Sequence, residues 1–166
     1  MKKSLITLVL TILFSFSIYA QSEREYTRVA YENLKFQLPV GMTENREKGF
    51  ISNTPDGLFG VSITQFVNNA LNKKNSRKLI KEMADFLKVE NTKITDVKYA
   101  DCLGVQAVGK NGDQNIVMII INSWGNVSQI VLMYNDTYKD AADKFLSTLS
   151  QIKKPGLFSK PNLSED

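Results

Sequence analysis

The sequence has no histidine, one cysteine and one tryptophan among 166 residues. Without histidine there is no imidazole to act as a general base near neutral pH, to ligate a metal, or to stand in the middle of a nucleophilic triad. The single cysteine, Cys102, rules out an internal disulfide and a zinc site of the usual cysteine and histidine donors. It reads first as a small buried hydrophobe; a reactive thiol or an intermolecular disulfide is the alternative, with no imidazole to serve either. Neither common spacing of a Gly-rich phosphate loop is present. No fixed repeat and no low-complexity block occurs. No cofactor is expected.

Charge of one sign is also scarce. There are 21 basic and 17 acidic residues, a formal net charge of +4. Two of the basic residues, Lys2 and Lys3, precede an apolar run at 5–18 and a small-residue site at Ala20. That pattern is a secretory signal peptide over residues 1–20, the run being shorter than a membrane span of about 18 residues or more. Cleavage after Ala20 puts Ile18 at the third position before the cut; cleavage after Ser17 fits the small-residue rule better. An uncleaved N-terminal anchor is the alternative, and no cysteine follows to carry a lipid. The expected product is periplasmic or extracellular, with no stable membrane insertion after cleavage. Removing Lys2 and Lys3 leaves the charges nearly balanced, which argues against nucleic-acid binding. One α+β domain is expected over 21–154, long enough to bury about 68–70% of its unfolded surface, with a flexible tail at 155–166.

The richest stretch runs from 114 to 136. Two β-rich apolar runs flank Gly125-Asn126, a two-residue hairpin signal. If Trp124 faces Val127, then Ile121 meets Ile130 and Ile119 meets Leu132. Ile116, Met118, Ile120, Trp124, Val127, Val131 and Met133 then share one face. Val117, Ile119, Ile121, Ile130, Leu132 and Tyr134 share the other. A half-exposed strand would alternate apolar and polar residues. Both faces here are apolar, so both need cover.

The rest of the chain supplies it. Residues 26–31 and 34–38 read as strands, the second ending at Pro39. Residues 49–53 read as a third. Thr54-Pro55-Asp56-Gly57 is a turn that pairs it with 58–67. There Phe59, Val61 and Ile63 lie on one face, and the small Gly60, Ser62 and Thr64 on the other, suited to close approach by a helix or strand. An amphipathic helix is expected over 76–89, with Leu79, Ile80, Met83, Phe86 and Leu87 on its apolar face. Strands follow at 93–100 and 103–109, the latter joined to the hairpin by a type I′ signal at Asn111-Gly112. A last helix begins at Thr137, whose spacing to Asp140 suggests a capping box. Tyr138, Ala141, Ala142, Phe145, Leu149 and Ile152 form its stripe, and Pro155-Gly156 stops it. The expected architecture is one antiparallel sheet of about six to seven strands flanked by helices on both faces, an α/β/α sandwich.

Candidate site residues are few. Lys73, Lys74, Arg77 and Lys78 could meet an anionic surface or an acidic partner; a solvated helix start is the plain reading. Trp124 could anchor a partner or pack on the sheet. Asp56, Asp96, Asp101 and Asp136 lie near turns or strand ends, but a carboxylate pair needs convergence in space. Asn111 to Asn115 offers closely spaced oxygens yet lacks the bidentate Glu of a calcium loop, so a turn is the plainer reading. No metal or catalytic residue is assigned.

Leu34-Lys35-Phe36-Gln37-Leu38-Pro39-Val40-Gly41 resembles the opening Phe-x-Leu-Pro-x-Gly of the PsbP-like proteins, which include Ran-binding Mog-type and bacterial envelope relatives. Phe145-Leu146-Ser147-Thr148-Leu149 resembles their C-terminal helix run, and the order of elements agrees across most of 26–153. Met42 stands where that family often has Trp. The resemblance implies a non-enzymatic binding or assembly role; the family's partners, a photosystem and a nuclear GTPase, do not transfer. The expectation is an exported binding protein of the bacterial envelope with an unknown protein partner, a monomer or weak dimer. The alternatives are a carrier with an apolar pocket lined by Met83, Phe86, Met118 and Tyr134, and an enzyme using carboxylates or Tyr.

Overall fold

A computed structural model describes residues 24–66, 73–100, 102–123 and 126–152. The expected signal segment, Trp124 with Gly125, Asp101 and the expected tail lie outside the described residues. The elements are β1 (Tyr26–Tyr31), β2 (Leu34–Pro39), β3 (Thr43–Asn45), β4 (Phe50–Asn53), β5 (Phe59–Phe66), α1 (Lys73–Phe86) and β6 (Glu90–Tyr99). They continue with β7 (Cys102–Asn111), β8 (Gln114–Ser123), β9 (Asn126–Tyr134), a 3-10 turn (Asp136–Tyr138), α2 (Lys139–Thr148) and β10 (Ser150–Gln151).

The fold is α+β, but its strands form two sheets where one was expected. A seven-stranded sheet has the order β3-β4-β5-β9-β8-β7-β6, and a three-stranded sheet the order β1-β2-β10. The large sheet is two antiparallel meanders joined edge to edge by the β5–β9 pair. β1 and β2 leave for the small sheet because Leu34, Phe36 and Leu38 on alternate positions of β2 can then be buried together. Two short strands, β3 and β10, have no signature in the sequence: the first has three exposed residues and the second is two residues long.

The hairpin register differs from the expected one by two residues. Ile119 meets Ile130, Ile121 meets Ser128, and Ser123 meets Asn126. A slip of two residues leaves every side chain on its face, whereas a slip of one would invert them all. Both faces are therefore as expected. Ile116, Met118, Ile120 and Val127 pack with Ile80 and Ala84 of α1. Val117, Ile119, Ile121, Ile130 and Leu132 pack with Leu34, Phe36 and Leu38 of β2 and with Ala141, Ala142 and Phe145 of α2. Asn111 pairs with Gln114, so the β7–β8 loop is Gly112-Asp113, with the positive φ of 56° at Gly112, rather than Asn111-Gly112. Gly104 serves a different need: a Cβ there would lie 2.3 Å from the Ile120 carbonyl oxygen.

Both helices depart from expectation at their ends. α1 starts at Lys73 and ends at Phe86. Leu79, Met83 and Leu87 pack on the α1 core as expected, but Phe86 is 84% exposed. The buried pair Ile80 and Ala84 sets the contact stripe, and Phe86 falls two residues beyond Ala84, off the three- and four-residue spacing that shares a face. At α2 no capping box forms. Thr137 instead donates its hydroxyl to Asn135 Oδ1 at 2.6 Å, and neither Asn135 nor Tyr138 makes a side-chain cap. The helix stops at Thr148, because Leu149 turns extended and Ser150–Gln151 pairs with β2. Among the described residues no helix is long and apolar enough to cross a membrane.

Candidate functional site

The residues singled out in the sequence do not gather into one site. Arg77 Nη2 is 2.8 Å from Asp96 Oδ1, and Lys78 Nζ lies 3.8 Å from Glu82 Oε1. Two of the four cations at the start of α1 thus face acids, which blunts the basic patch. Lys74 is exposed, the side chain of Lys73 lies outside the described residues, and so does Trp124. Cys102 is fully buried, as expected of a small hydrophobe. Asp136 accepts from Asn115 Nδ2 at 2.8 Å. Asp56, Asp96 and Asp136 therefore each have a separate partner.

A polar cluster forms instead where the β4–β5 turn, the residues before β1 and the start of α2 meet. Thr54 and Asp56 build the turn. Thr54 Oγ1 donates to Asp56 Oδ1 at 2.6 Å, and the Leu58 N–H donates to the same oxygen at 3.0 Å. The other carboxylate oxygen accepts from the Tyr138 hydroxyl at 2.7 Å, across 82 residues of sequence. The Tyr138 ring stacks on Phe59, centroids 5.8 Å apart, and the Arg24 guanidinium lies 3.8 Å above its centroid. Arg24 also donates from Nη2 to the Thr137 carbonyl at 2.7 Å and sits 3.5 Å from Asp140. The Tyr26 hydroxyl donates to Asp140 Oδ2 at 2.9 Å. Arg24 Nη1 is buried without a partner among the described residues.

The electrostatics follow from these contacts. The Thr54 hydroxyl, the Leu58 N–H and the Tyr138 hydroxyl hold the Asp56 carboxyl below its ordinary value. The hydrogen bond to Asp56, then burial, raises Tyr138. Burial first, then the bond to Asp140, pushes Tyr26 up to about 12. Each shifted group moves away from neutrality, so none of them is tuned to exchange a proton near pH 7. Beside the cluster lies a cavity of about 310 Å³ lined by Arg24, Pro39, Val40, Thr54, Pro55 and Tyr138 among others. Nothing in the sequence announced this site, since its parts come from residues 24–26, 54–58 and 137–140. The one usable signal was the Pro-Asp-Gly turn.

The fold is PsbP-like. The chain superposes on cyanobacterial PsbP from Synechocystis sp. PCC 6803 with a TM-score of 0.55 at 12% identity, over 80% of this chain and 96% of that one. A protein from Bacteroides thetaiotaomicron VPI-5482 gives 0.51 at 16% identity, over 75% of this chain and 47% of that one. LpqN, described as involved in cell envelope biogenesis of Mycobacterium tuberculosis, gives 0.49 at 11% identity, over 78% of this chain and 92% of that one. No family model matches the sequence, and no curated protein does.

Proposed function

We propose that the chain is an exported, non-enzymatic binding or assembly protein of the bacterial envelope. The observation that carries this reading is the state of its clustered ionisable groups. Asp56 is held as a carboxylate and Tyr26 and Tyr138 as phenols, each locked by a neighbour, which suits a rigid surface better than proton transfer. The PsbP-like fold and the basic-then-apolar N-terminus support the same reading. The domain is taken as an α/β/α sandwich over 21–154, in which the small sheet shares a layer with α2. The near-balanced charge of the mature chain favours a protein partner over nucleic acid.

The carrier reading fares worse. Met83 and Met118 pack in the α1 core, Tyr134 belongs to the opposite face, and Phe86 projects into solvent. No pocket can be lined by all four.

Three measurements test the proposal. N-terminal sequencing of the protein recovered from the producing cell's envelope fraction is expected to begin at residue 18 or 21. A broad hydrolase screen of the purified chain is expected to be flat; turnover abolished by Asp56→Asn would overturn the reading. Replacing Lys73 and Lys74 together by Ala is expected to leave capture of partners unchanged, because Arg77 and Lys78 already face acids.

A further inference from the structure

We propose that the open edge of β1 takes an extended segment of a partner protein as an added strand, one that carries two acidic side chains on its outer face. This deepens the binding reading and rests on it.

Hydrogen bonding sets the phase of the strand. The Val40 N–H donates to the Glu25 carbonyl at 2.9 Å. In the β1–β2 register Glu25 therefore belongs with Thr27, Val29 and Tyr31, whose N–H and C=O groups turn toward β2. Tyr26, Arg28 and Ala30 turn theirs outward. The Gln37 N–H, opposite Arg28, agrees: it points away from β1 and donates to Thr148 Oγ1 at 3.0 Å. β1 is the outer strand of its sheet, and Thr27, Arg28 and Ala30 are exposed. Among the described residues these outward N–H and C=O groups have no partner. The other edges are guarded. β3 has three residues and β10 two. β6 is bulged between Glu90 and Lys93 and carries Lys93 and Lys98, devices that blunt a sheet edge. β1 has an unbroken register and no proline.

Chemistry selects the occupant. A row of alternating donors and acceptors is matched by an extended backbone. The side chains then choose its charge. Arg28 lies opposite Gln37 and Ala30 opposite Lys35, so all four share the outer face of the small sheet. Arg28 and Lys35 line one cavity of about 350 Å³ with Gln37 and Thr148, and neither has an acidic partner among the described residues. Asp140 is already engaged by Tyr26 and Arg24. Ala30 is small, which lets the long Lys35 side chain reach over it toward an added strand. Acids opposite Arg28 and Ala30 on that strand meet both cations. Glu25 and Glu32 flank β1, so the complement is confined to those two positions. A second copy fits badly. Pairing about a two-fold axis uses all three outward residues of both strands only with Arg28 opposite Arg28, and like charges placed so are destabilising.

The probe is a short fluorescent peptide alternating valine with threonine, its two central threonines replaced by glutamate. Anisotropy with the purified exported chain should show it binding about tenfold or more tighter than the same peptide with lysine there. Arg28→Glu should reverse that preference. Methylating the backbone nitrogens of the peptide that face β1 keeps its charge and removes its donors, and should weaken it by about tenfold or more. Ala30→Pro removes an outward N–H and leaves the bonds to β2 intact, so it should weaken the peptide similarly with an unchanged thermal midpoint. Should that variant unfold, the methylated peptide and Arg28→Glu still decide. Equal binding of the methylated peptide means a diffuse basic face and overturns the proposal. A dimer in sedimentation that Ala30→Pro dissociates puts a second copy on the edge and overturns it too. So does slow deuterium exchange at the amides of Tyr26, Arg28 and Ala30 in the peptide-free monomer, the mark of an edge already filled by the chain's own residues. Binding of neither peptide sinks the edge and leaves the binding reading to the hydrolase screen.

Discussion

Asp56 shows how one side chain can tie distant parts of a chain together. It closes its own turn through Thr54 and Leu58 and fastens the start of α2 through Tyr138. Its folded pKa lies below the ordinary 3.8, so on acidification the unfolded chain takes up the proton first. The stabilisation is therefore complete above about pH 4 and is lost as pH falls through the folded value. A pH series of thermal melts should show a falling midpoint below pH 4, and Asp56→Asn should flatten that limb. Tyr26 gives the opposite limb. Its folded pKa of about 12 exceeds the ordinary 10.0, so its contribution is intact below pH 10 and lost between 10 and 12. Tyr26→Phe should weaken the alkaline fall in the same melts. Neither behaviour could be read from the sequence. Asp56 was legible as a turn residue, but the partner 82 residues away was not, because no local pattern records which loops a fold will bring together.

At the scale of elements, faces were legible and ends were not. Side-chain alternation fixed which residues of β8 and β9 look each way, and that outcome survives a two-residue slip. The turn decides the slip, and Gly can serve either central position of a two-residue loop. For α1 the periodicity of apolar residues found the helix but overcounted its face by including Phe86. Truncating two phenylalanines to Ala separates the cases. Phe145, fully buried between α2 and β2, should cost about 3–5 kcal/mol, and its ring contact with Phe36 at 5.1 Å goes with it. Phe86, largely in solvent, should change stability by no more than about 0.5 kcal/mol. Urea melts of the two variants decide. Gly112, at a φ of 56°, should lose about 1 kcal/mol on replacement by Ala, read in the same way.

For the whole molecule, the sequence supported a two-sided sheet and left the second sheet unseen. Leu34, Phe36 and Leu38 alternate as any strand might; that they join β10 rather than the main sheet depends on where α2 lands. Protection should follow this layout. Backbone amides of β8 and β9, paired on both sides, with β8 also buried on both faces, should exchange most slowly with deuterium, and those of β3 fastest among the strands. A uniform exchange profile across the seven strands would contradict the two-core description.

The seam between β5 and β9 sets the order of assembly. Phe59 pairs with Tyr134 and Phe66 with Val127, so the join closes loops of 61 to 75 residues. A chain emerging amino end first, from a ribosome or through a membrane pore, presents β3, β4 and β5 long before their neighbour exists. Such non-local pairing is slow. Chains halted at residue 123 should therefore leave β5 open to protease, and those extended to 152 should protect it. Until β9 arrives, Val61 and Ile63 have no second sheet strand to lie against, which makes this the stage at which a holding chaperone has most to grip.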